Sequence, residues 1–365
     1  MSDEKKRERV RERASSHHCT RSEFDFINSI RQKAIRRERL SGSRSSLVSH
    51  HSALIHGIGD DAAVFGQRAG FDSIVTADLL VEDVDFRLTT TTPRLLGHKA
   101  LAVSLSDVAA MGGRARFALL SVGVPREVWR SNFLDRFYEG FFALADRSGV
   151  LLIGGDVSRT PERIVIDSIV IGEAERGAAR FRSGARPGDH IFVTGNLGGS
   201  AVGLLLLENE AEGRRAGRQS RLLFERAIRR HRRPEPRLSW GALLGEERLA
   251  TAMIDLSDGL SSDLSHLCRE SRVGAIVDAR RIPVDPLAEQ LADLVRLDPM
   301  EAALNGGEDF ELLFTIHPRD LPRLPRSVGG VPATYIGDVT DRRDGVLLRQ
   351  GRSLRRLTPR GFMHF

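Results

Sequence analysis

The residues with the most chemical promise are carboxylates set beside glycine. Gly57-Ile58-Gly59-Asp60-Asp61-Ala62-Ala63-Val64-Phe65 places two adjacent acids between a flexible lead-in and an apolar run. Acids at the edge of apolar sequence call for a positive partner. An all-oxygen donor set suits Mg²⁺ or Ca²⁺ better than zinc. The competing reading is an exposed turn, which Gly and Asp also favour. Three further features are of the same kind. Asp107 falls inside an apolar helical stretch, among Leu105, Val108 and Ala109, so it must be paired, protonated or metal-bound. Gly154-Gly155-Asp156 follows the apolar run Val150–Ile153, and Asp255-Leu256-Ser257-Asp258-Gly259 follows Ala252–Ile254. Taken singly, each is well explained as a turn or a helix cap. Four in one chain suggest a site that binds a polyphosphate through several magnesium ions, with glycine letting the backbone approach the phosphates.

The elements expected to carry these acids alternate between strand and helix. Ile74–Asp78 reads as a strand ending in a carboxylate, and its continuation to Phe86 adds Glu82, Asp83 and Asp85. Thr92-Pro93 predicts a helix start, with Thr92 as the cap, and Gly112-Gly113 a helix end near Ala110. Phe117–Val124 and Val150–Ile153 predict strands, Asn132–Asp146 a helix, and Ile164–Ile171 another strand. Past the loop Arg182–Asp189 come strands at His190–Thr194, Ala252–Ile254, Ala275–Val277 and Leu312–Ile316. Ligand sites in such architectures favour the carboxyl ends of strands. Ser257 and Asp258 stand at an expected helix start, where free N–H groups favour anions. The predicted class is α/β (α+β) in two domains. A basic, disordered leader is expected over 1–21, an N-terminal domain over 22–184, and a C-terminal domain over 185–365.

Composition narrows the function. The chain has 365 residues, 41% hydrophobic and 28% charged, enough for two domains with real cores. Its net charge of +6 lies wholly in residues 1–50, which hold 13 Lys+Arg and 7 Asp+Glu; the remainder has 42 of each. The body thus lacks the basic field of a nucleic-acid binder. Two distant cysteines, Cys19 and Cys268, form no zinc spacing or disulfide framework and fit a reducing cytoplasm. No apolar run is long enough to span a membrane, and the N-terminus has no signal-peptide core. The sequence also lacks a P-loop, a dinucleotide fingerprint and a protein-kinase catalytic loop. Gly195–Gly199 is glycine-rich without phosphate-motif spacing and reads as a packing turn.

In order along the chain, Gly57–Phe65, Thr76–Phe86, Gly97–Gly112, Gly154–Asp156, Arg182-Ser183-Gly184, Asp255–Leu260, Gly306–Leu312 and Gly361–Phe365 resemble the pattern of the thiamine-monophosphate kinase family. The resemblance runs from about residue 22 to the C-terminus. It implies a two-domain PurM-like fold of the aminoimidazole-ribotide-synthetase-like superfamily, with an N-terminal domain for dimerisation and ATP and a homodimer as the assembly. It implies ATP-dependent phosphorylation of thiamine monophosphate to thiamine diphosphate. Position by position, it assigns magnesium to Asp61, Thr76, Ala77, Asp78, Asp107, Asp156, Asp255 and Asp258. Gly155, Asp156, Arg182 and Ser257 fall on the ATP side, and Asp107, Asp156, Arg182 and Asp255 become the catalytic set. Asp85, Glu308 and Phe362 match substrate positions, Phe362 as an aromatic platform for a cationic ring. Such a transfer needs charge neutralisation and in-line positioning more than a protein nucleophile.

The chain departs from the family pattern at three places. Val-Glu-Asp-Val-Asp-Phe at 81–86 replaces Val-Glu-Gly-Val-His-Phe, so Asp85 stands for a substrate-touching histidine and Asp83 for a glycine. Ala77 takes the place of a hydroxyl residue, leaving only its carbonyl to coordinate. Ser148 stands where a tyrosine near adenine is common. Two other readings compete with the kinase. One is another ATP-dependent synthase of the superfamily, acting on a ribotide or on selenide; selenide is disfavoured because neither cysteine is near a phosphate motif. The other is a non-catalytic nucleotide-binding or basic-arm interaction protein.

Overall fold

The computed structural model describes residues 26, 29–36, 54–56, 64–208, 218–341 and 345–360. Asp61, Phe362 and the leader lie outside the described residues. The chain divides into two compact units, Met1–Leu105 with Ala115–Glu173, and Ser106–Arg114 with Ala174–Phe365. The mixed α/β content is that of the predicted class.

In the first unit, β1 (Leu54–His56) pairs antiparallel with β2 (Val64–Phe65). A four-stranded sheet is built from β3 (Phe71–Val81), β4 (Arg114–Val124), β5 (Leu151–Arg159) and β6 (Val165–Glu175), in the order β3-β6-β4-β5. Helices α1 (Pro93–Ala110) and α2 (Phe133–Ser148) belong with this part of the chain. Thr92 caps α1 as its sequence predicts, Oγ1 accepting from Leu95 N at 3.4 Å. The two helices approach at Gly97 and Gly140, where a Cβ would overlap the Phe137 and Arg94 carbonyl oxygens respectively. Phe137, Phe141 and Leu134 of α2 are fully buried.

The strands that carry acids run further than the sequence suggests. Asp78 and Asp156, read as strand-end residues, sit inside β3 and β5. Strand β5 continues because it stays in parallel register with β4, from Leu119↔Gly154 through Ser121↔Asp156 to Val124↔Arg159. Its last residues carry polar, outward side chains, so no apolar alternation marks the extension.

The second unit is a larger sheet with order β14-β13-β9-β12-β7-β10-β8, and β11 (Ser327–Val328) pairing with β12. These strands are β7 (His190–Thr194), β8 (Ala250–Asp255), β9 (Gly274–Asp278), β10 (Leu312–Ile316), β12 (Val331–Thr340), β13 (Val346–Gln350) and β14 (Ser353–Arg356). The sheet's neighbouring strands pair antiparallel, except β13 with β9, which are parallel. The helices are α3 (Gly199–Glu208), α4 (Arg218–Arg232), α5 (Leu238–Glu246), α6 (Leu260–Ser271), α7 (Pro286–Val295) and α8 (Pro299–Asn305). Leu260, Leu264 and Leu267 of α6 pack with Ile191, Ile254 and Leu313 of the sheet. A second core centres on Trp240 and Phe314 and takes in Ala109 and Ala110, which is why the end of α1 belongs to this unit. Helices α3, α4 and α7 form a third cluster through Leu206, Phe224, Ala227 and Leu291.

Candidate active site

Strands β8 and β10 lie side by side in antiparallel register, with Asp255 opposite Leu312. Antiparallel pairing brings the exit of one strand to the entrance of the other. The segment leaving β8 and the loop entering β10 therefore continue the ladder as irregular backbone. Leu256 N donates to Glu311 O at 2.8 Å, Phe310 N to Leu256 O at 2.9 Å, and Glu308 N to Ser257 O at 2.7 Å. The last of these sets Glu308 beside Ser257 and Asp258. Tight passage here depends on glycine. Gly307 has φ +65° and Gly259 φ +112°, and a Cβ on either would press on backbone atoms of the neighbouring segment.

Electrostatics at this end are set by acids. Asp255 is 4% exposed, and its Oδ2 accepts a hydrogen bond from Ser106 Oγ at 2.7 Å. Asp263, on the first turn of α6, turns back so that its Oδ2 accepts from Asp258 N at 3.1 Å and Gly259 N at 3.0 Å. Burial, followed by the charges of Asp255 and Asp258, pushes the Asp263 carboxyl up to about 8, against the pull of those two N–H groups. The expectation that Ser257 and Asp258 open the helix is shifted slightly: α6 starts at Leu260 with Gly259 as its cap.

The acceptor-side candidate Glu308 has φ +53°, and its Oε2 lies 3.0 Å from His231 Nδ1. That same nitrogen is 3.2 Å from Ser200 Oγ. Asp309, the next residue, closes the N-terminus of α3, accepting from Gly198 N at 2.7 Å and Ser200 N at 3.2 Å. Gly195–Gly199 is a packing turn, as its sequence suggests: Gly195 abuts the Glu311 carboxyl and Gly198 the backbone of α8.

Arg182 is exposed, its carbonyl held by Ser271 Oγ at 2.9 Å. The neighbouring Phe181 carbonyl accepts from Met253 N at 2.9 Å, fixing this loop beside β8. The Arg182 charge also reaches His266 on α6, whose ring is held below its ordinary range first by burial, then by Arg269 and Arg182. Asp107 is half-buried, next to the Ser106 that serves Asp255.

The first unit holds the remaining candidates. On β3, Thr76 and Asp78 share a face with buried Ile74 and Leu80, while Ala77 points the other way with exposed Val75 and Leu79. Ala77 can therefore offer coordination only through its carbonyl. Asp156 and Gly155 are exposed on β5, the opposite edge of the sheet from β3. Three strand spacings, roughly 14 Å in a flat sheet, separate the two edges, so this sheet does not set Asp78 beside Asp156. Gly155 has φ +147°, and a Cβ there would overlap the Leu120 carbonyl. The structure brings together Ser106, Asp255, Ser257, Asp258 and Glu308. Asp85 is engaged locally, its Oδ2 accepting from Val81 N at 2.8 Å. Asp83 pairs with Arg163 at 2.7 Å. Both acids that depart from the family pattern thus have structural partners.

Among the described residues, no three His, Cys, Asp or Glu side chains gather closely enough to hold a metal unaided. The donor set nonetheless suits magnesium. It is all oxygen, and Mg²⁺ commonly takes one or two carboxylates and completes its shell with water and substrate phosphates. Burial first, and the nearness of Asp255 and Asp258 second, raise the Asp263 carboxyl, and a divalent ion among these acids would offset their mutual repulsion.

The sequence reading missed Asp263, Ser106 and His231. Asp263 lies on the apolar stripe of α6 with Leu260, Leu264 and Leu267, and His231 on that of α4 with Phe224 and Ala227. A polar side chain on an apolar stripe was the available signal.

Matches to known proteins agree with this arrangement. Two family models fit the chain: AIR synthase related protein, N-terminal domain, over residues 59–174, and its C-terminal domain over residues 186–349. The fold and the paired acidic loops thus define a protein of the AIR-synthase-related class. The thiamine-monophosphate kinase of Bacillus subtilis (strain 168) is 38% identical over 348 residues, covering 94% of this chain and 99% of its own. The crystal structure of thiamine-monophosphate kinase from Stenotrophomonas maltophilia K279a superposes with a TM-score of 0.73 at 35% identity, covering 87% of this chain and 94% of that one. A solved complex of AaThiL with AMPPCP and TMP gives a TM-score of 0.70 at 30% identity, covering 94% of this chain and 97% of that one. Within that class, the chain belongs to the thiamine-monophosphate kinase family.

Proposed function

We propose that this kinase moves the γ-phosphoryl group of ATP directly onto the phosphate of thiamine monophosphate, giving ADP and thiamine diphosphate. A phosphate oxygen of the acceptor bonds to the γ-phosphorus as the bond to the β,γ-bridging oxygen breaks. The acceptor is a phosphate monoester, already largely ionised near neutral pH, so no dedicated base on the protein is needed. The observation that carries this reading is the ladder of backbone hydrogen bonds joining Asp255–Asp258 to Glu308, which sets a carboxylate cluster next to a candidate substrate contact.

Magnesium would be held by Asp61, Thr76, the carbonyl of Ala77, Asp78, Asp107, Asp156, Asp255 and Asp258. Bound with the nucleotide, it would supply neutralisation of phosphate charge. Gly155 admits the nucleotide phosphates to the backbone, and Asp156, Ser257 and Arg182 sit on the ATP side. Arg182, with an exposed guanidinium, offsets charge on the group in transit. Glu308 accepts from the thiamine moiety and Phe362 supplies its aromatic platform. Asp85 shapes the turn after β3 and so contributes to the substrate side indirectly.

The assembly we propose is a homodimer formed through the outward face of β3. Val75 and Leu79 are 65% and 59% exposed there, an apolar pair that a second copy would cover. Sedimentation of Val75→Asp as a dimer would count against that face. We place the reaction in the cytoplasm: Cys268 is a buried free thiol whose pKa burial raises to about 12, and among the described residues no helix is long and apolar enough to cross a membrane.

The test is a product balance with Mg-ATP and thiamine monophosphate. Equal amounts of ADP and thiamine diphosphate, without inorganic phosphate, are expected. ADP with inorganic phosphate and no thiamine diphosphate would instead favour another ATP-dependent synthase of the class.

A further inference from the structure

Arg226, Arg229 and Arg230 of helix α4, with Arg233 one residue past its end, stand at positions i, i+3, i+4 and i+7, the spacing of one helix face. All four line a cavity of about 460 Å³ within the second unit, opposite the start of α7. Two of the arginines are already balanced. Arg230 gives two hydrogen bonds to Asp285 Oδ2, at 3.0 and 2.8 Å, and a third to Asn196 O at 3.1 Å. Asp285 is itself fixed, because its other oxygen caps α7 by accepting from Leu287 N at 2.9 Å. Arg233 lies 3.5 Å from Glu235. Arg226 and Arg229 are exposed and have no ion pair among the described residues. Asp309 also lines the cavity, with its oxygens turned to the N–H groups of Gly198 and Ser200.

Basic residues in the last turn of a helix are favoured by the helix dipole alone, and a solvated basic face is the ordinary account of such a row. That account covers Arg229, Arg230 and Arg232. It leaves Arg226, more than a turn from the end, lining the same hollow. A concavity of this size is in the range that holds a small ligand. Its four guanidinium groups outnumber the carboxylates of Glu235, Asp285 and Asp309 in the same lining, and guanidinium forks match phosphate oxygens in pairs.

We infer that this arginine-lined cavity is a second ligand site, which takes a small phosphate-bearing anion through Arg226 and Arg229 with Arg230 as its fixed floor. The site has a direct path to the substrate side. Residue 231, next to the floor arginine, is the histidine that holds Glu308, and Asp309 follows Glu308 in the chain. Occupation of the cavity should therefore alter the KM for thiamine monophosphate, a consequence that rests on the proposed role of Glu308. Binding itself does not depend on that role.

Titration calorimetry of the full chain with pyrophosphate, in the presence of a metal chelator, tests the inference. The chelator prevents metal-bridged binding at the acidic loops. The unaltered protein is expected to bind with a Kd below about 1 mM. Arg226→Ala/Arg229→Ala should weaken binding at least about ten-fold, with unchanged turnover at saturating substrates and an unchanged melting temperature. Arg226→Lys/Arg229→Lys should recover part of the affinity. Equal affinity in the unaltered and alanine proteins, or no binding by the unaltered protein, would overturn the proposal. A site that binds but leaves the KM untouched in the kinase assay would retain the ligand site and remove its coupling to Glu308.

Discussion

His231 Nδ1 lies 3.0 Å from Glu308 Oε2, so a residue of helix α4 holds the side chain assigned to substrate. Glu308 itself sits at φ +53°, hydrogen-bonded through its N–H to Ser257 O. Its direction is thus set from both backbone and side chain. Glu308→Gln should raise the KM for thiamine monophosphate by on the order of ten-fold, the scale of one charge-assisted hydrogen bond. The KM for ATP should change little. Steady-state kinetics with each substrate varied will read this, and a change confined to ATP would remove Glu308 from the acceptor side.

Asp255 offers a separation of catalysis from stability. It is buried among like charges and accepts a hydrogen bond from Ser106. Asp255→Asn keeps an acceptor for Ser106 and relieves repulsion with Asp258 and Asp263. Turnover should fall by on the order of 100-fold or more, as when a charge that acts in the transition state is removed. The melting temperature should hold or rise. Ser106→Ala should cost less, on the order of ten-fold, by loosening the carboxylate. Near-normal turnover in Asp255→Asn would strike the residue from the catalytic set.

How much of this was readable beforehand depended on how local the cause was. The start of α1 was legible because Thr92 and Pro93 make a cap from adjacent residues, and β10 was legible as an apolar run with polar neighbours. The extension of β5 past Asp156 was not, since its cause is register with β4 rather than its own pattern. Asp255 and Asp258 stood out beside glycine. Asp263 and His231 did not, because each gains its meaning only when a helix face meets a loop far away in sequence. The ordered motifs revealed the family; the supporting side chains required the fold.

A pH effect follows from Asp309. Burial, only partly offset by the N–H groups of Gly198 and Ser200 and by Arg230, pushes its carboxyl from 3.8 up to about 7, with Glu311 adding to the rise. Asp285 faces the same cavity and His231 lies nearby on α4. The folded chain keeps a proton that the unfolded chain releases near pH 4. This contribution to stability is complete below about pH 4 and is lost as the pH climbs through 7. Asp309→Asn should flatten the fall in melting temperature between about pH 4 and 7. Parallel curves for the two proteins would place the dependence elsewhere.

Gly155 is required by its backbone and its surroundings together. Its φ is +147°, and a Cβ would overlap the Leu120 carbonyl of the neighbouring strand. Gly155→Ala should lose about 2 kcal/mol or more of stability, in the range of strained or overpacked substitutions. Gly149→Ala, also at positive φ but with open space around the Cβ, should lose less. Denaturant titrations of the pair provide the comparison, and equal losses would mean that crowding at Leu120 is unimportant.

The central claim is direct transfer between two phosphates with no phosphorylated protein intermediate. The stereochemical course at phosphorus measures it, using ATP made chiral at the γ-position with sulfur and oxygen isotopes. A single in-line displacement inverts the configuration, and inversion in the thiamine diphosphate formed is the result expected. Retention would require two displacements and a group on the protein that carries the phosphoryl, contradicting the account.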